Sequence, residues 1–520
     1  MDGGSRETAP IAIVGAGPVG LATALGLARR GIPSTVFERN PTTSRRSKAA
    51  GVHVRTAEIF RQWGIGDRFA EPARRLGAIS IRDARNDRVL LHADLSRLED
   101  EAEEPGLLMI EQSATERHLL EALAETGLAD VRFGTEVERM RQDDRGVDLE
   151  VRGADGAATE RAAYVVGADG ASSTVRGLLG LSFDGVTLPV RPTLADVAVA
   201  DGRDDLPWPR MRNDAGGITS ALRLRAGLWR IIRLEPGEPP DPAASHDGLE
   251  DEIADRARSV LGTGPLDVRW VSRFRFHRRS SPRMRVGRVV LAGDAAHVHP
   301  PAGGQGMNVG IQDAHNLAWK LDACLAGADP DVVLDGYEAE RMAIVGNVSS
   351  FTTGVTRVFL QSPSLVRSAA FGLFGTFLKS GAAQSRFARR LSMLNLDYPK
   401  EALLGPAPGS CAGRRLPNVR LVAPDGGRLR LYDLLPYGPA LLDLREDAAS
   451  RLGDGEGTVV RTVVRIGPGG YREEGDLLRR FVGDGADRVL VRPDLHVAGA
   501  YSKDADLDAA SEAALGGLAS

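Results

Sequence analysis

Two short stretches carry residues whose types and spacing can do chemistry. Residues 293–308 read GDAAHVHPPAGGQGMN: one carboxylate, Asp294, two histidines, two prolines and four glycines, without a serine or cysteine nucleophile. An acid at a strand end can accept bonds from a polyhydroxylated chain. Glycines let a flat ring lie against bare backbone, and a helix N-terminus near Gly306–Asn308 favours negative charge beside it. Residues 11–38 read IAIVGAGPVGLATALGLARRGIPSTVFE, with Gly15, Gly17 and Gly20 spaced as GxGxxG and Glu38 closing the stretch. The first glycine allows the tight turn, the second lets a pyrophosphate approach the backbone, and the third lets helix pack on strand. Glu38 stands where an acid accepts bonds from ribose hydroxyls. An acid favours a free 2′-hydroxyl, so FAD or NAD(H) fits this cradle better than NADP(H).

The elements that must position these residues are legible around them. Ile11–Val14 predicts a strand, Leu21–Arg29 an Ala/Leu-rich helix, and Ser34–Phe37 the next strand. Tyr164–Arg176, YVVGADGASSTVR, predicts another strand entering a glycine turn. Val289–Ala292 ends a strand before Gly293-Asp294, and a helix is expected from about Met307 to Leu325. GTGP at 262–265 runs into LDVRW, a strand, so the chain has no second dinucleotide cradle.

The set GAGPVG, GADGASSTVR and GDAAHVHPPAGGQGMNVGIQDAHNLAWKL resembles the single-component FAD-dependent aromatic hydroxylases, the p-hydroxybenzoate hydroxylase-like group A monooxygenases. The likeness is closest to the branch acting on phenols and aromatic polyketides and covers residues 10–400. It implies an α/β fold: a Rossmann-type, glutathione reductase-like FAD-binding domain, an antiparallel β-sheet substrate domain and a thioredoxin-like C-terminal domain. It implies that Gly15, Gly17, Pro18, Gly20, Glu38 and Arg39 hold the ADP half of FAD, and that Gln112 contacts its ribose region. Asp169 would serve both FAD and NAD(P)H, Asp294 would bind the ribityl chain, and Pro301, Gly304, Gly306, Met307 and Asn308 would line the flavin ring. Lys48 stands where the family usually carries arginine; it keeps the charge and loses the planar fork that grips phosphate, with Arg46 close by. The implied reaction uses NADPH or NADH to reduce FAD and molecular oxygen to form a flavin hydroperoxide, which hydroxylates a small aromatic substrate. The same fold could instead support Baeyer–Villiger oxidation, epoxidation or antibiotic inactivation, or a flavin-binding protein without turnover. The flavin halogenase signature WxWxIP is absent.

The rest of the chain sets the frame. It has 520 residues, a formal net charge of −4 and 42% hydrophobic residues, which predicts a multi-domain globular protein with no general attraction to nucleic acid or anionic membrane. The polar start and the lack of a long apolar run predict a cytoplasmic protein, and a homodimer is left open. Cys324 and Cys411 are isolated, and His297 and His299 lack further ligands at metal spacing, so no metal is expected. The expected divisions are 1–185 for the first part of the FAD-binding domain (77–105 contributing to the substrate domain), 186–285 for the substrate sheet, 286–402 for the second part and 403–520 for the C-terminal domain. Residues 186–285 read as antiparallel strands around the loop EPGEPPDPAASHD. Arg191, Arg212, Arg223, Arg225, Arg230 and Arg233 read mostly as solvated strand faces, with one or two left to face the substrate. Val366, Ala370, Phe374 and Phe377 read as a core or subunit-contact stripe. Without CxxC the C-terminal domain is expected to be redox-silent.

Overall fold

Ile11–Val14 is buried at every residue and lies at the centre of a six-stranded sheet. The order is Arg285–Val286, Val289–Leu291, Val165–Gly167, Ile11–Val14, Ser34–Glu38 and Ala129–Phe133. All neighbours run parallel except the first pair. Parallel strands covered on both faces read as continuous apolar runs, which is why IAIV, VVG and VVL lack polar alternation. The computed structural model describes residues 10–43, 50–199, 206, 208–239, 241, 248–262, 266–301, 303–360, 362, 364–445, 460, 462–502, 505 and 507–515. Lys48 and Arg46 lie outside them.

Helix Pro18–Ala28 starts three residues before the predicted helix, because Pro18 at the first turn is pre-set for helical φ. It packs against helices Gln112–Ala124 and Gly306–Leu325. At Gly26 a Cβ would come within 3.0 Å of the Ala318 side chain and 3.2 Å of Trp63, so this glycine sets the helix spacing.

A seven-stranded sheet forms the second layer, in the order Leu266–Arg273, Val190–Val199, Leu228–Pro236, Gly217–Arg225, Arg210–Asp214, Ala78–Asp83 and Val89–Asp94. It is antiparallel apart from the pairing of Arg210–Asp214 with Ala78–Asp83. The all-strand reading of 186–285 needs correction: Leu249–Leu261 is a helix. Its signal was present. Leu249, Ile253, Ala257 and Val260 recur at helical spacing, acids fill the first turn and Gly262 caps the end in the left-handed region. This helix covers one face of the sheet, against Ala195, Val197, Ala221, Trp229 and Ile231.

One further expectation is corrected in part. Arg223, Arg230 and Arg233 are buried rather than solvated, while Arg191 and Arg225 are exposed. Arg230 grips Asp196 with both forks at 2.8 and 2.9 Å, and Arg233 holds Asp214 at 2.7 Å. In helix Ser364–Phe377 the inward residues are Arg367 and Phe371, while Leu365, Val366, Leu373 and Phe377 are exposed. Arg367 is drawn inward by the Asn213 side-chain oxygen, 2.6 Å away.

At the C-terminal end, Ala440–Asp443 pairs in parallel with Thr462–Arg465 and antiparallel with Arg488–Val491. Arg488–Val491 forms a hairpin with Val497–Tyr501, and helix Leu507–Leu515 follows. Both cysteines are buried and free. Among the described residues, no helix is long and apolar enough to cross a membrane, and no group of three or more His, Cys, Asp or Glu could hold a metal ion.

Candidate active site

Four adjacent parallel strands end at the same edge of the central sheet, and each delivers one motif. Val14 leads into Gly15 and Gly17, Glu38 ends its own strand, Gly167 leads to Asp169, and Leu291 leads to Gly293-Asp294. Ligands of open parallel sheets bind beyond such carboxyl ends. The backbone ties the turns together: Gly15 N–H donates to Phe37 O at 2.7 Å, Ala168 N–H to Val14 O at 2.8 Å, and Ala292 N–H to Gly167 O at 2.9 Å.

The three cradle glycines differ in what surrounds them. Gly15 has φ +106°, and a Cβ there would sit 2.5 Å from Ala168 O. A Cβ on Gly20 would clash with Gly15 O. At Gly17 a Cβ would meet nothing of the protein within 4 Å. The fold therefore requires Gly15 and Gly20, whereas the space at Gly17 is open. Gly17 caps the helix without a side-chain bond, and no acid stands in the first turn, so its N–H groups can take an anion. Glu38 accepts from Ala16 N–H at 2.8 Å and from Asn40 N–H at 2.9 Å, which fixes its carboxylate beside the cradle. Arg39 is exposed just beyond.

Asp169 is half-buried, and its carboxylate accepts from Ser173 Oγ at 2.5 Å and from the N–H groups of Thr174 and Val175. It thus organises the start of helix Thr174–Leu178. Asp294 is exposed at the sheet edge. Pro301, Gly303 and Gly304 are exposed, with φ +87° and +70° at the two glycines. Gly306 opens helix Gly306–Leu325, again without a side-chain cap or an acid in its first turn. Met307 is half-buried. Gln112 starts its helix and donates to Glu116 at 2.9 Å. Asn308 is fully buried: its oxygen accepts from His53 N–H at 2.9 Å, and its amide donates to Gly51 O at 2.9 Å and Gly304 O at 3.1 Å.

A family model described as an FAD binding domain matches residues 8–352, and one described as the C-terminal part of an aromatic-ring hydroxylase matches residues 410–517. The 12-dehydrotetracycline 5-monooxygenase/anhydrotetracycline 6-monooxygenase of Streptomyces rimosus is 33% identical over 516 residues, 97% of each chain. The chain belongs to the FAD-dependent aromatic hydroxylases. Among solved structures, the anhydrotetracycline hydroxylase OxyS from Streptomyces rimosus is similar at a TM-score of 0.79 and 31% identity, over 98% of this chain and 99% of that one. The aklavinone-11 hydroxylase in its ternary complex with FAD and aklavinone also gives a TM-score of 0.79, at 26% identity over 98% and 99%.

This aromatic hydroxylase is a flavoprotein monooxygenase, and its residues fit FAD. The open direction at Gly17, the uncapped helix starts at Gly17 and Gly306 and the exposed Asp294 carboxylate share one sheet edge.

Several residues of the hydroxylase that support this edge were not singled out from the sequence. Arg176 donates to Ala295 O at 2.8 Å and to Ala171 O at 2.9 Å, so it joins the Asp169 turn to the Asp294 turn. His53 places its ring nitrogens 2.6 Å from Leu391 O and 2.9 Å from Gly303 O, which pins the glycine loop. Asp313 is wholly buried; it accepts from Gly293 N–H at 2.9 Å, His297 Nε2 at 2.8 Å and Arg341 Nε at 2.6 Å. Burial pushes its carboxyl up, but Arg341 and His297 override this and hold it below the ordinary range. His297 thus takes the packing and hydrogen-bonding role expected of it. No signal in a single sequence assigns these partners, which lie up to 338 positions apart.

His299 gives a pH prediction. Burial, reinforced by His297, pushes its imidazole down to about 3, against 6.5 ordinarily. The unfolded chain therefore binds the extra proton first. The stability carried by the neutral ring is complete above about pH 6.5 and is lost as the pH falls towards 3. Thermal unfolding midpoints should drop on acidification from pH 7 to pH 5, and His299→Phe should flatten that slope. An unchanged slope in the variant would remove His299 from the account.

Proposed function

We propose that this monooxygenase hydroxylates an aromatic ring of phenolic or fused polyketide type, with NADPH or NADH as electron donor and molecular oxygen as co-substrate. The observation that carries this reading is the convergence of the Gly17, Asp169 and Asp294 turns on one sheet edge facing a glycine loop. When bound there, FAD would supply the redox chemistry: hydride acceptance from the nicotinamide and oxygen activation. The chain binds, orients and shields. Gly15–Gly20 and Glu38 would hold the ADP half, with Pro18 and Arg39 beside it. Gln112 would stand at the ribose region and Asp294 at the ribityl chain. Pro301, Gly304, Gly306, Met307 and Asn308 would line the ring, and the Asn308 side chain would brace that loop through its bonds to His53, Gly51 and Gly304.

The substrate would lie against the sheet face opposite helix Leu249–Leu261. Strand alternation places Leu194, Leu222, Arg230 and Ile232 on that face. Leu222, Met211 and Leu234 share an apolar cluster with Val54, the neighbour of His53, so the face adjoins the glycine loop. An apolar wall with one buried Arg230–Asp196 pair suits a flat, hydroxylated ring system. Similar proteins named for anhydrotetracycline and aklavinone support fused-ring substrates. We also divide the chain at residues 185, 285 and 402, and read its last part as thioredoxin-like on the order of its four strands.

The test is to follow NADPH and NADH oxidation with a panel of phenols and fused-ring polyketides, with mass detection of products. Stimulated turnover and one added oxygen atom are expected. Oxidation that no aromatic alters, with no oxygenated product, would overturn the reading. Lactone or epoxide products would move it to Baeyer–Villiger oxidation or epoxidation.

A further inference from the structure

We propose that the C-terminal part of the chain is a positioning element of the flavin site, acting through Arg492 and Asp494. This rests on the reading of the Gly293-Asp294 turn as part of that site. Arg492 and Asp494 bracket Pro493 in the turn between Arg488–Val491 and Val497–Tyr501, and each is 1% exposed. Arg492 grips Glu340 through two bonds of 2.8 Å and Asp494 through two of 2.7 and 3.1 Å. Lys320 reaches the same Glu340 oxygen at 2.8 Å. Asn316 donates to Glu340 at 2.8 Å and to Asp494 at 2.9 Å. Two cations and two carboxylates thus meet in a buried cluster. Burial lowers the Lys320 amine to about 8, and Glu340 is the main group opposing that fall.

The cluster does not stop at the contact between the two parts. Glu340 is followed on its helix by Arg341, whose Nε binds Asp313 at 2.6 Å. The other oxygen of Asp313 accepts from the N–H of Gly293, the residue before Asp294, at 2.9 Å. A second arm runs through the turn's backbone. Arg55 donates to Asp494 O at 2.7 Å, and Gln62 to Pro493 O at 3.0 Å. Both donors lie on helix Val54–Gln62, whose N-cap is His53, the residue that pins Gly303. One C-terminal turn therefore holds the two helices that present the flavin loop and the helix that bears Glu340 and Arg341. A guanidinium fork fixes geometry in a way a point charge does not.

The experiment titrates full-length apoprotein with FAD by fluorescence quenching, and records the visible spectrum of bound flavin and the thermal unfolding midpoint. Wild-type binding is the reference and tests the flavin reading alone. Arg492→Met is expected to weaken FAD binding about 10-fold or more and to alter the flavin absorption envelope, with Arg492→Lys intermediate. Asp494→Asn keeps the volume, reports on the same cluster and is expected to weaken binding about 5-fold. Val489→Ala, in the C-terminal core, is the matched control: it should lower the unfolding midpoint and leave FAD affinity within about 2-fold. The proposal is overturned if Arg492→Lys and Asp494→Asn bind FAD as wild type does. It is equally overturned if Val489→Ala weakens FAD as much as they do at the same loss of midpoint.

Discussion

Gly17→Ala should leave the protein folded and strip it of FAD, whereas Gly20→Ala should cost the fold itself. The two glycines lie three positions apart in one motif, yet they answer to different constraints. At Gly20 a Cβ runs into Gly15 O, a backbone atom that cannot swing aside. Overpacking of that kind costs about 3 kcal/mol or more. The expected result is a large fall in the denaturation midpoint of apoprotein and holoprotein alike. At Gly17 a methyl group meets no protein atom within 4 Å, so the apoprotein midpoint should stay within about 0.5 kcal/mol of wild type. The same methyl occupies the approach of the pyrophosphate to the helix N-terminus. FAD affinity should fall roughly 100-fold, equivalent to about 2.7 kcal/mol. Equilibrium denaturation and flavin titration of the two variants side by side check both halves. A Gly17→Ala protein that binds FAD normally would mean the pyrophosphate lies elsewhere.

Asp294→Ala should weaken FAD about 10- to 100-fold, the range expected for losing charge-assisted bonds to hydroxyl groups. Asp294→Asn should lie between, since an amide oxygen still accepts. The carboxylate is exposed at the sheet edge, so the loss should appear in flavin titration more than in apoprotein stability. Full retention of FAD by Asp294→Ala would remove it from the ribityl role.

The sheet edge was legible because each motif is local. A short apolar strand, a glycine turn and a helix start occupy about a dozen consecutive positions, and their order follows from near-neighbour physics. That the GAGPVG, GADG and GDAAH turns would lie together was readable only through resemblance, since pairing of Val14 with Gly167 and of Gly167 with Leu291 is non-local. Helix Leu249–Leu261 was legible in principle: its acids, apolar spacing and terminal glycine were in the sequence, but the alternating strands on both sides obscured them. The buried arginines were not legible. Arg230 and Arg233 stand among apolar neighbours three positions apart, so they face opposite sides of the sheet, and Asp196 and Asp214, set on other strands, hold them inward. Asn308 reads as a ring-lining residue, and its side-chain bonds to Gly51, Gly304 and the His53 N–H are partners that a linear pattern does not name.

The order of the central sheet has a consequence for biogenesis. Ile11–Val14 emerges from the ribosome early, yet its partner Val165–Gly167 is made about 150 codons later, and Val289–Leu291 later still. A nascent chain shorter than this carries an apolar strand edge with nothing to close it, a state that invites self-association or chaperone capture. C-terminal truncations ending before Val289–Leu291 should therefore accumulate as insoluble material, whereas the full-length chain should not.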